Sequence, residues 1–267
     1  MIFVHDKGRM ANNILQYGHF YAWGRAHGRQ TMSMRFAYKY PYFHICKTSH
    51  HNFLTYAFAK YAAKWRLIPT LHFDEKDGDY RAHEQQMLTS KLLMVTGWEA
   101  RWYDAFLKYK PEIIELFAFN DAVEQQVKPL LGEGIRLGVH IRRGDYVRFY
   151  GGRFFYSDEQ YVNVIRNFVK LHENERITVY ICGNDPKLNR DYYREQLGDC
   201  RVVFPDGNPG EDLCLLSHCH YLIGAPSTFT LVASLYHETP LYWIENPVKE
   251  LTSQDFKHFD DLFRHIY

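Results

Sequence analysis

From residue 132 onward, short apolar runs alternate with amphipathic stretches, whereas the first 125 residues are dominated by patterns of helical period. The later region predicts strands at 135–141, 177–182, 201–204, 221–224 and 240–244, with helices around 158–172, 187–197, 211–218 and 228–237. Strands that alternate with helices make βαβ units and a parallel sheet. Upstream, "NNILQYGHFYAWGRAHG" groups Ile14, Leu15, Phe20, Tyr21 and Trp23 near one stripe and stops at Gly28, so a helix from about 12 to 27 is predicted. It follows an apolar strand, Ile2 to Val4. "HHNFLTYAFAKYAAKW" repeats the helical period, and "PEIIELFAFNDAVEQQVKPLL" predicts a further helix with Pro111 in its first turn. The "GEG" at 132–134 marks the change of texture, giving a mostly helical domain over 1–130 and an α/β domain with a parallel sheet over 131–267.

Charge and cysteine content narrow the classes of function. The 32 Lys+Arg and 31 Asp+Glu nearly cancel, so no overall field draws the chain to nucleic acid or an anionic membrane, and any anion site must be local. Five cysteines without a C-x-x-C pair suggest neither a disulfide framework nor a zinc ribbon, and fit a reducing compartment. No apolar stretch reaches the roughly 18 residues that span a bilayer. The expectation is a soluble chain of a reducing compartment, unless an upstream anchor has been removed.

Four stretches gather residues that can do chemistry. In "LGVHIRRGDY", alternation along the strand puts His140 and Arg142 on one face, and Gly144 lets the chain turn so that Asp145 folds back onto an arginine. The result is an anion clamp or an ordinary ion pair at a strand end. In "EDLCLLSHCHYLIGAPSTFTLVASLY", a strand ends in a Pro-Ser-Thr step that opens a helix, so Ser227 or Thr228 caps it or helps hold phosphate there. Asp212 opens the preceding helix, where it either caps or accepts hydrogen bonds from guanine. The run Ser217-His218-Cys219-His220 is not expected to hold a metal, because consecutive residues rarely converge on one ion. "VYICGNDP" is a strand running into turn residues, and "KGRMANNILQYG" puts Gly8 after a strand and Asn12 before a helix, without a G-x-G-x-x-G or Walker pattern.

Taken together and in this order, the four stretches resemble the α-1,2-fucosyltransferase family and its α-1,6- and protein O-fucosyltransferase relatives. "GVHIRRGDYV" is similar to the family's H-x-R-R-x-D segment, and "GRMANNILQYGHFYAWGRAHG" to its N-terminal Gly-rich loop and helix. "DLCLLSHCHYLIGAPSTF" resembles the family's D-L-x-L-M-S-x-C-x-x-x-I-x-x-N-S-T-F stretch. The resemblance implies a GT-B fold with two Rossmann-like lobes facing across a cleft, GDP-fucose as donor, a glycan acceptor and no metal or other cofactor. It implies catalytic roles for Arg142, gripping the diphosphate, and for Asp145. It also implies donor contacts from His140, Arg143, Asp212, Ser227 and Thr228, with Gly8 and Asn12 from the other lobe. The sequence departs from the pattern at Ala11-Asn12-Asn13, at Pro226 in place of Asn, and at Leu231 and Val232 in place of tryptophans.

The activity implied is inverting transfer of fucose to the 2-OH of a terminal galactose. Protein O-fucosylation, another fucosyl linkage, and a non-catalytic GDP-sugar or glycan-binding protein are the alternatives. Asp145, Asp158 and Glu159 are the carboxylates considered for taking the acceptor proton.

Overall fold

The structure is a computed structural model that describes residues 1–183 and 185–266, so Asn184 of the "VYICGNDP" stretch lies outside the described residues. The chain divides into two compact units, Met1–Asn120 and Asp121–Tyr267, ten residues earlier than the boundary read from "GEG". The reason lies in residues 117–120, where the single helix expected over 111–131 is broken. Phe117 and Phe119 are buried, Phe119 forms an isolated antiparallel bridge with Phe43, and Asn120 bonds Tyr42 and Pro41 through its backbone and side-chain amides. Helix Lys110–Leu116 therefore stays with the first unit, and helix Asp121–Val127 begins the second.

Helical residues predominate in the first unit, but they are arranged around a sheet. The unit is built on a four-stranded parallel sheet of β1 (Ile2–Val4), β2 (Thr31–Ser33), β3 (Thr70–Phe73) and β4 (Leu93–Gly97), in the order β2-β1-β4-β3. Only β1 shows in the residue pattern; Thr31, Ser33, Thr70 and His72 interrupt β2 and β3 with polar residues. Helix Met10–Ala26 links β1 to β2 and buries 13 of its 17 residues, so it is a central helix rather than one with a single apolar stripe. It starts two residues before the expected position, and Gly28 at φ +64° turns the chain into β2. At the end of β4, Gly97 has φ +113°, and a Cβ there would lie 2.2 Å from the Phe73 carbonyl oxygen. Its own carbonyl accepts a hydrogen bond from the buried Gln16 amide.

The second unit is a five-stranded parallel sheet of β5 (Ile135–Ile141), β6 (Ile177–Gly183), β7 (Arg201–Val203), β8 (Tyr221–Gly224) and β9 (Leu241–Trp243), as the pattern predicts. Its order is β7-β6-β5-β8-β9. The chain runs outward from β5 through β6 to β7, then returns past β5 to β8 and β9. Strand order thus reverses between β5 and β8, and in open α/β sheets ligands bind beyond the carboxyl ends of the strands at that point. Helices Asp158–Leu171, Arg190–Gln196, Pro209–Ser217 and Thr228–Leu235 make the crossovers. Tyr161, Val164, Ile165 and Phe168 pack the first of these onto Val139, Ile141 and Val179 in the main core. On the other face, Gly138 gives Pro209–Ser217 its close approach, since a Cβ there would lie 2.7 Å from Leu216 and 3.1 Å from Cys219 Sγ.

Among the described residues, no helix is long and apolar enough to cross a membrane. Gly97→Ala should lower the unfolding free energy by about 2 kcal/mol or more, because it combines a disfavoured φ with a backbone clash; the midpoint of denaturant unfolding measures it.

Candidate active site at the strand-order reversal

Register sets the core of the site. His140 on β5 lies opposite Cys182 on β6 and Gly224 on β8, so the three form one row across the sheet close to its carboxyl edge. His140 is buried and stacks on Phe229, the second residue of helix Thr228–Leu235, with ring centroids 4.6 Å apart. Burial first, and then the neighbouring Arg142 charge, push its pKa down to about 3, so the imidazole is neutral at physiological pH. Its Nδ1 is buried without a hydrogen-bond partner.

Arg142 follows two residues later. Gly144 does not take the positive φ expected of it; the 3-10 turn Gly144–Val147 brings Asp145 back instead, and Asp145 Oδ2 accepts a 2.7 Å hydrogen bond from Arg142 Nη2. The guanidinium also lies over the Tyr146 ring, 5.2 Å from its centroid. Asp145 is half exposed while Arg142 is largely covered, so a carboxylate at the rim holds a recessed cation. Arg142 Nε is buried and unpartnered. Tyr146 in turn donates a 2.6 Å hydrogen bond to the Pro226 carbonyl, tying the loop after β5 to the turn after β8.

Asp212 sits in the first turn of helix Pro209–Ser217, whose cap is Asn208 and not Asp212 itself. Burial dominates its environment and pushes the carboxyl up to about 7; the Cys182 thiol opposes that rise and Glu211 adds to it. Its Oδ1 is buried with no hydrogen-bond partner. Beyond β8, Ser227 caps helix Thr228–Leu235 by accepting from the Thr230 amide, and the Thr230 hydroxyl is held by the Ser227 carbonyl and Trp243 Nε1. Thr228 is the first residue of that helix and is half-buried.

Arg143 departs from the expectation. Alternation along the chain sends it away from Arg142, where it bonds Asp158 (2.5 Å), Asp185 (3.3 Å) and the Tyr156 carbonyl (3.2 Å). Asp158 also accepts from Tyr193, so neither Arg143 nor Asp158 is a solvated group available to substrate. Arg143 fastens the start of the first crossover helix to the end of β6. Sequence reasoning missed this role, although the parity that pairs His140 with Arg142 already separates Arg143 from them.

Two departures from the family pattern also find explanations. Pro226 acts through its carbonyl, which any residue supplies, and Leu231 and Val232 are fully buried core residues. The run 217–220 scatters: Ser217 bonds the Cys214 carbonyl, His220 bonds Arg136, and His218 faces Glu124 at 3.1 Å. Glu124, Cys214 and His218 bring three possible ligand atoms within 4.8 Å of one another, a grouping hidden from the sequence by the 90 residues separating Glu124 from the others.

In the first unit, Gly8 takes φ +66° and a Cβ on it would meet the Asn12 amide at 2.5 Å. Asn12 is half-buried within the helix rather than before it. The loop is braced by Asn13, which accepts from the Lys7 amide and donates to the Lys7 and Arg9 carbonyls, a role the sequence reading did not assign.

The sequence model of glycosyl transferase family 11 matches residues 3–239. The chain belongs to this family. Galactoside alpha-(1,2)-fucosyltransferase 2 of Rattus norvegicus is 24% identical over 259 residues, which cover 88% of this chain and 66% of that protein. Galactoside 2-alpha-L-fucosyltransferase Sec1 of Mus musculus is 23% identical and is covered to 64%. The chain thus spans about two thirds of the length of these relatives. Among solved structures, NodZ alpha-1,6-fucosyltransferase co-crystallized with GDP matches with a TM-score of 0.60 at 15% identity, covering 93% of this chain and 96% of that one. POFUT1 in complex with GDP-fucose gives 0.62 at 12%, covering 92% and 98%. Arabidopsis thaliana FUT1 in complex with GDP gives 0.61 at 13%, covering 96% and 73%. The fold of this family 11 glycosyltransferase is therefore the GT-B fold, with a parallel α/β sheet in each unit.

Two outcomes follow from the site's electrostatics. Removing Arg143 leaves two carboxylates facing each other, so Arg143→Ala should cost roughly 2–4 kcal/mol of stability, the lower part of the range for broken ion pairs because both acids keep some solvent; thermal or urea unfolding reads it. Asp212 releases its proton near 3.8 when unfolded and near 7 when folded. Folding therefore takes up a proton between those values, and this contribution to stability is lost as pH rises from about 4 to about 7. Asp212→Asn should flatten that dependence, measured by melting temperature against pH.

Proposed function

We propose that this chain transfers fucose from GDP-fucose to a glycan hydroxyl, the 2-OH of a terminal galactose, with inversion and without a metal. Seven buried side-chain atoms lack hydrogen-bond partners among the described residues, and the observation that carries the reading is that three of them, His140 Nδ1, Arg142 Nε and Asp212 Oδ1, gather at one end of one sheet. Buried polar groups are almost always satisfied, and these three belong to residues at or beside the carboxyl edge of one sheet, where strand order reverses. A nucleoside diphosphate supplies what they lack. The guanine N1 and N2 donors suit Asp212, and the diphosphate oxygens suit Arg142 and the start of the helix capped by Ser227. The names of the relatives support fucose as the sugar and the galactoside 2-OH as the acceptor.

Breaking the bond between the anomeric carbon and the β-phosphate oxygen builds positive charge on the sugar ring and negative charge on the leaving GDP. The Arg142 guanidinium answers the second charge from a recessed position, where its interaction with an anion is stronger than in bulk water. Asp145 positions that guanidinium from the rim. The acceptor oxygen attacks the opposite face of the anomeric carbon as the bond to the β-phosphate oxygen breaks, GDP leaves with that electron pair, the acceptor's proton passes to solvent water, and inversion results. Because Arg143 and Tyr193 occupy Asp158, that carboxylate is set aside as the proton acceptor.

The test is turnover of GDP-fucose with a panel of galactosides and a fucose-accepting protein domain, followed by linkage analysis of the product. GDP release with an α-1,2-linked product, unchanged by chelator, is the expected result. Stabilisation by GDP with no turnover would make the chain a binding protein, and product on the protein domain alone would move the acceptor. Arg142→Ala should lower kcat on the order of 100-fold or more, the loss that follows removal of one oxyanion donor. Arg142→Lys should recover little of it, because an ammonium lacks the planar fork.

A further inference from the structure

In the first unit, helix Phe53–Lys64 is packed with its small residues inward. Ala59 and Ala62 enter the core beside Phe3, Met32 and Met94, whereas Leu54, Phe58, Tyr61 and Trp65 are exposed. Those four positions fall at i, i+4, i+7 and i+11, a single stripe along the helix. Phe53 and Leu67 extend it at either end, and Leu54 is 82% exposed and Trp65 65%. Six of the fifteen large apolar side chains found exposed among the described residues thus fall within fifteen consecutive positions. Burial alone would have turned the helix the other way, because large apolar side chains gain most from leaving water.

The charge around the stripe is one-sided. Lys60, Lys64 and Arg66 are exposed among these apolar residues, and residues 7–73 carry ten lysines and arginines with no aspartate or glutamate, although Lys7, Arg25 and Arg35 pair with Asp74, Glu112 and Asp6 from outside that stretch. The near-zero total charge of the chain conceals this, because acids in the remaining sequence cancel it. A second copy of the chain is a poor occupant, since a two-fold contact would set these cations against their own images. Stacking on bases could use Phe58 and Trp65 but not Leu54 or Leu67, the two most exposed members. An aromatic and aliphatic stripe flanked by Lys and Arg, on a helix lying flat against its own unit, matches a helix that enters a lipid headgroup layer.

We infer that this face docks on an anionic lipid bilayer surface, with Leu54, Phe58, Trp65 and Leu67 entering the headgroup–acyl boundary and Lys60, Lys64 and Arg66 meeting lipid phosphates. The proposal is independent of the donor site.

Co-sedimentation of the full chain with phosphatidylcholine vesicles, and with phosphatidylcholine–phosphatidylglycerol vesicles, tests it. The chain should bind the mixed vesicles and barely bind the neutral ones, with affinity falling as salt rises. Each cation near such a surface contributes roughly fivefold, so Lys60→Glu with Lys64→Glu should weaken binding about tenfold or more. Leu54→Ser with Trp65→Ser should abolish it without changing melting temperature or GDP affinity, since both side chains already face water. Failure to bind either vesicle, or binding that ignores both pairs of substitutions, would overturn the proposal. So would a dimer that the apolar pair dissociates, or binding of a single-stranded oligonucleotide with no affinity for vesicles.

Discussion

The second unit depends on the reversal of strand order between β5 and β8. Two crossovers leave on one side of β5 and the chain returns on the other, so the loops after β5 and β8 diverge around a gap that the sheet itself does not fill. Whatever the chain places at the ends of those two strands meets there. Register places His140 of β5 opposite Gly224 of β8, three residues before Ser227, and Gly138 lets the helix bearing Asp212 come close to the sheet. The Tyr146–Pro226 hydrogen bond ties the loop after β5 to the turn after β8.

The environment at this edge divides residues of similar chemistry into different roles. Arg142 and Arg143 are neighbours in the chain, yet one keeps a buried nitrogen without a partner and the other is fastened between two carboxylates. Asp145 and Asp158 divide in the same way, one at the rim and one tied beneath the loop. Burial raises the Asp212 carboxyl to about 7, so the charge at this edge of the sheet changes across the neutral pH range.

Much of the second unit was legible from residues alone, because its strands carry apolar runs bounded by turn residues and its helices have clear periods. The first unit was less so. Thr31–Ser33 and Thr70–Phe73 interleave polar with apolar residues and make no apolar run, so pairing with β1 and β4 decides them. The break at 117–120 was hidden because Phe117 and Phe119 continue an apolar run while serving a different contact. In the site, Arg142 and Asp145 could be placed from alternation and one glycine turn. The carboxylate partners of Arg143 could not, since Asp185 lies 42 residues away and meets it only through the β5–β6 pairing. Summed charge misled in a simpler way: a total carries no information about where the charges sit.

The hydrogen bond from Tyr146 to a carbonyl at position 226 has an evolutionary corollary. A main-chain acceptor leaves the side chain above it unconstrained, so position 226 can drift between asparagine, proline and other residues while the phenol across the gap must stay. Mutational tolerance at the two ends of this one contact is thereby unequal, and lineages with different residues at 226 can share the same loop geometry.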